Sequence, residues 1–92
     1  MAIFDSYLRG RMETNLAPFA MVRVKLLRES GEQYDGWRLN VRPPAIGDTG
    51  AIVDVLQATG LPDKFVVESV VPDGTTLWLV DFFAEEIELV QP

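Results

Sequence analysis

The sequence predicts a mainly β domain, a small antiparallel barrel or sandwich of five to six strands with a short helix or arm ahead of it. Three observations carry this expectation. Apolar residues alternate with polar ones over strand-length runs, as in Val22-Arg23-Val24-Lys25-Leu26. Turn signals recur at short intervals, at Gly47-Asp48-Thr49-Gly50, Gly60-Leu61-Pro62-Asp63 and Pro72-Asp73-Gly74. Little in the chain has a helical period, which favours a small all-β architecture. The 92 residues, 48% hydrophobic and 24% charged, suit one folded domain rather than a disordered chain. A chain of this size buries about two thirds of its unfolded surface in a single modest core.

Taken in order, residues 1–19 read as an arm or short helix and residues 20–92 as the barrel domain. Phe4, Tyr7, Leu8, Met12 and Leu16 fall close to the three-and-four spacing of one helical face, with Asp5 or Ser6 able to cap its start. Gly10 weakens that helix by about 1 kcal/mol relative to alanine. Pro18 ends it, because the residue before a proline is pushed out of the α region. The first strand runs from Ala20 to Arg28. Arg28 to Gln33 is a polar excursion into a long first loop, where Asp35-Gly36 favours a tight turn and Trp37, Leu39 and Val41 alternate with Arg38 and Asn40. Pro43-Pro44 forces an extended break.

Gly47 to Gly50 is the turn that launches the central strand, about Ala51 to Gln57. Gly47 and Gly50 are read as supplying backbone angles closed to other residues, and Asp48 as holding the bend. Lys64 to Val71 is a β-branched strand, joined through Pro72-Asp73-Gly74 to a strand from Thr75 to Phe82. Ala84 to Glu86 reads as one helical turn and Ile87 to Val90 as a last short strand.

This succession resembles an SH3-like small barrel. The phrases Gly47-Asp48-Thr49-Gly50-Ala51-Ile52-Val53, Phe65-Val66-Val67-Glu68, Pro72-Asp73-Gly74 and Glu86-Ile87-Glu88-Leu89 are also similar to those of an uncharacterised family of short bacterial proteins, a domain of unknown function. The likeness covers roughly residues 20–91 and implies a fold, not an activity. Ser69 departs from it, standing where the pattern carries an aromatic residue. Trp78 or Phe82 across the hairpin is expected to supply the missing volume.

Composition narrows the chemistry. The chain has no His and no Cys, so the usual neutral-pH base, the thiol nucleophile and the soft metal ligands are missing, and no cofactor is expected. Carboxylate pairs such as Asp48 with Asp54, or Glu85 with Glu86, lack a recognisable ligand or acid–base spacing. Gly47-x-x-Gly50 lacks the lysine and following helix of a phosphate loop. Of the net charge of −6, residues 1–42 carry +2 and residues 43–92 carry −8. That distribution disfavours nucleic acid and suits cationic partners. No leader and no apolar run of about 20 residues is visible, so a cytoplasmic protein without a membrane partner is expected.

The candidate contact residues are therefore Tyr7 and Leu8 in the arm, Tyr34, Asp35 and Trp37 in the first loop, and Leu77 and Leu79 on the strand after Pro72. Trp78, Val80 and Phe82 point to one face of that strand and Leu77 and Leu79 to the other, and both faces are apolar. The second face needs cover from the arm, the first loop or another chain. Trp37 is expected to be buried with Leu39 and Val41, and Tyr34 to be exposed, with Glu32 and Asp35 suiting a basic peptide. Gly47, Asp48, Gly50, Asp73 and Gly74 are read as structural turn residues. The function expected is a non-enzymatic protein-binding or accessory module that self-associates, or docks on a protein partner, through the N-terminal arm and the outer apolar face around Leu77 and Leu79. The alternatives are an acidic inhibitor of the immunity or antitoxin type and, less in keeping with the composition, a carboxylate-dependent enzyme.

Overall fold

The computed structural model of the chain describes residues 16–90. The expected helix or arm, with Tyr7 and Leu8, lies outside them apart from its last residues. Five strands form one antiparallel sheet: β1 (Met21–Val24), β2 (Thr49–Leu56), β3 (Lys64–Val70), β4 (Thr76–Phe83) and β5 (Ile87–Leu89). Their spatial order is β4-β3-β2-β1-β5, and the sheet is open, since β4 and β5 do not pair with each other. Two 3₁₀ turns, Gly31–Tyr34 and Ala84–Glu86, are the only helical elements among the described residues.

Alternation sets which side of each strand is buried. Val22 and Val24, Ile52, Val67, and Trp78, Val80 and Phe82 are all essentially fully buried and form one core with Tyr34, Phe65 and Ile87. Phe82 sits at its centre, with its ring 5.7 Å from Trp78 in an edge-on arrangement and 5.7 Å from Tyr34. Ser69 pairs with Trp78 across β3 and β4. The buried Trp78 is thus the cross-strand partner of the small Ser69.

Several boundaries differ from expectation, each for a local reason. β1 stops at Val24 rather than Arg28, because the N–H groups of Lys25 and Leu26 turn away to donate to the Glu86 carbonyl. Leu26 therefore leaves the alternation and is exposed. Gly47 does adopt φ +97°, as expected of it, but Gly50 does not have a positive φ. Gly50 is required by proximity instead: a Cβ there would lie 2.6 Å from the Glu68 carbonyl oxygen of β3. Val53 faces outward opposite the buried Ile52, and a bulge between Ile52 and Asp54 then shifts the alternation so that Asp54 is also exposed and Val55 packs on the core. Gly74, at φ +92°, and the Asp73 carboxylate, which accepts from the Thr75 N–H at 2.8 Å, make the β3–β4 turn.

Candidate functional site

The long first loop, between β1 and β2, is held to the sheet by one buried carboxylate, Glu86, and one part-buried carboxylate, Asp48. Glu86 lies in the second 3₁₀ turn and is 1% exposed. Its carboxylate accepts from the Tyr34 hydroxyl at 2.6 Å, the Arg28 N–H at 3.1 Å and the Phe83 N–H at 2.8 Å. Tyr34 in turn accepts from the Glu29 N–H at 2.9 Å. The expected exposure of Tyr34 is thus corrected: it is 5% exposed, because only an inward ring brings its hydroxyl to Glu86. Burial, and then the bond to Glu86, push the Tyr34 phenol above its ordinary value of 10.0.

Asp48 is the second anchor and ties three parts of the chain together. It accepts from both Arg42 guanidinium nitrogens at 2.8 and 3.2 Å, from the Ala45 N–H at 3.0 Å and from Trp78 Nε1 at 3.0 Å. Partial burial alone would raise its pKa, but the bonds from Arg42, Ala45 and Trp78 outweigh this and hold the carboxyl below its ordinary 3.8. Asp48 does hold the bend, as its place in the turn suggests, and it also satisfies the N–H of a buried indole. Neither carboxylate pair considered above is assembled by these contacts. Glu86 faces inward while Glu85 meets Arg28 at 3.3 Å, and Asp54 accepts from the N–H of its own neighbour, Val55. Among the described residues no group of three or more acidic side chains converges as a cation site.

Between these anchors the loop lies along the free edge of β4. Val41 donates its N–H to the Leu77 carbonyl at 2.8 Å, and Leu79 donates its N–H to Asn40 Oδ1 at 2.9 Å. Leu77 and Leu79 are half-buried rather than an open apolar face, and Leu77 packs on the core.

Trp37 is the main correction. It is 47% exposed, not buried, and so are Leu39, Val41 and, further along, Ile46 in large part. The alternation of residues 37–41 imitates a strand, but Arg38 has φ +59° and donates its N–H to the Asp35 carbonyl in a turn. Tyr34 takes the core position instead. The indole is oriented all the same: Nε1 donates to the Asp81 carboxylate at 2.7 Å. Asp35, in the same loop, accepts from the Asn40 N–H at 3.2 Å. The exposed character of Leu39, Val41 and Ile46 was not read from the sequence. Pro43-Pro44, which prevents the run from continuing as a strand, was the available signal.

Comparison of the chain with protein-family models, with curated proteins and with solved structures found no match.

Proposed function

We propose that this chain is a non-enzymatic protein-binding module on an SH3-like plan, with its contact surface on the first loop. The long loop after β1, the β2–β3–β4 meander, the 3₁₀ turn after β4 and the return of β5 beside β1 support the plan. The observation that carries the reading is Trp37: a large aromatic side chain half in solvent, oriented by Asp81, on a loop that Glu86 and Asp48 anchor. A pre-oriented aromatic loses little freedom on binding, which is why such residues anchor interfaces. Leu39 and Val41 extend the apolar surface, while Asp81, which holds the indole, and Asp35, in the same loop as Trp37, suit a partner with basic residues.

The test is affinity capture from host lysate by the full chain and by its Trp37→Ser variant, at low and moderate salt. A protein retained by the parent and lost by the variant, with thermal midpoints matched, is the expected result. Equal capture by both, or capture by neither, contradicts the reading. The acidic-inhibitor alternative draws on the −8 carried by residues 43–92. Steep loss of capture with salt supports it, and salt-insensitive capture counts against it.

A further inference from the structure

Away from the first loop, a groove of about 510 Å³ opens between the start of the described chain and the end of β4. Its apolar walls include Leu16, Pro18, Val55, Phe65 and Phe83, and Asp63 and Glu85 also line it. Phe83 follows the core residue Phe82 and so faces the other side of β4. Its ring carries Arg28 at 4.5 Å and Lys64 at 4.8 Å.

We propose that this groove is the seat of the chain's own residues 1–15, docked within the same molecule. The described residues begin at Leu16, itself part of the wall, so the preceding segment leaves from the groove's own margin. A segment tethered this closely is present at an effective concentration of millimolar order, far above that of a free peptide of equal affinity. The root is fixed in place, since Ala20 donates its N–H to Ala17 and Phe19 donates its N–H to Ile52 of β2. The chemistry of the two sides matches. Residues 1–15 bring Phe4, Tyr7, Leu8 and Met12 to a lining that is mainly apolar. The site is separate from the Trp37 surface, so either can fail without the other.

Because the chain has no cysteine, a single one can be labelled cleanly. A nitroxide is placed on a Ser6→Cys variant of the full chain, and amide signals are compared with those of the reduced label at low concentration. Severalfold broadening of Val55, Phe65 and Phe83, with the β3–β4 turn around Asp73 unaffected, is the expected result. Adding Tyr7→Ser and Leu8→Ser to the labelled chain is expected to abolish it while leaving the remaining spectrum in place. Absence of broadening overturns the proposal, as does broadening that survives the double substitution. A mixture of labelled chains and isotope-enriched unlabelled chains separates the occupants. Broadening there equal to that within one chain means that a second copy fills the groove, and it overturns docking within one molecule.

Discussion

At the scale of single residues, Asp48 and Glu86 are the carboxylates a sequence reader would examine for chemistry, and the structure uses both as acceptors for buried donors. Asp48→Ala leaves the Trp78 indole N–H, on a fully buried side chain, without its acceptor, at a cost of about 1–3 kcal/mol. The Arg42 pair adds no more than about 1 kcal/mol, because the arginine side chain is 44% exposed. Asp48→Asn keeps an acceptor oxygen but gives up the charge. Since the folded-state pKa of Asp48 is depressed, the unfolded chain binds the proton first as pH falls. The stability it contributes is present above about pH 3.8 and is lost as pH drops through the lower folded value. Acid unfolding followed by circular dichroism is expected to show a shallower dependence below that pH in Asp48→Asn. Tyr34 has the opposite sense. Its pKa is raised, so its contribution is complete below pH 10.0 and lost as pH rises through the folded value. The Tyr34→Phe variant is expected to lose that alkaline step, and about 1–3 kcal/mol at neutral pH from the donors and acceptors left without partners.

At the scale of elements, the strands were largely legible and the loop was not. β2, β3 and β4 announce themselves by β-branched and aromatic content between turn signals, and Pro72-Asp73-Gly74 marks its hairpin correctly. The first loop misleads because alternation over residues 37–41 is a local pattern. Whether such a run pairs in the sheet or lies across its edge depends on partners distant in sequence, Leu77 and Leu79 here. The same holds for Tyr34, whose burial is decided by Glu86, far along the chain. Gly50 shows that one residue type serves two ends. Composition could identify it as special, but not that the reason is the approach of β3 rather than a backbone angle. Gly50→Ala is therefore expected to force β2 and β3 apart at a cost of about 1–3 kcal/mol or more. Gly36→Ala meets open space at a backbone angle that is not left-handed, and is expected to be neutral or stabilising by about 0.4–1 kcal/mol. Thermal or urea unfolding of the two variants checks the contrast.

At the scale of the whole molecule, the first loop, anchored by Glu86 at one end and Asp48 at the other, lies on the β4 edge. One arrangement thus covers an edge strand, which would otherwise invite pairing with another chain, and displays Trp37, Leu39 and Val41. No helix among the described residues is long and apolar enough to cross a membrane. A net charge of −6 attracts cationic groups at long range, an attraction that added salt screens. The most direct measurement of the central claim is hydrogen exchange of the full chain with and without the protein it captures. Added protection concentrated in residues 35–46 is the expected result. Protection confined to other parts of the sheet, with the Trp37 loop exchanging as in the free chain, would contradict it.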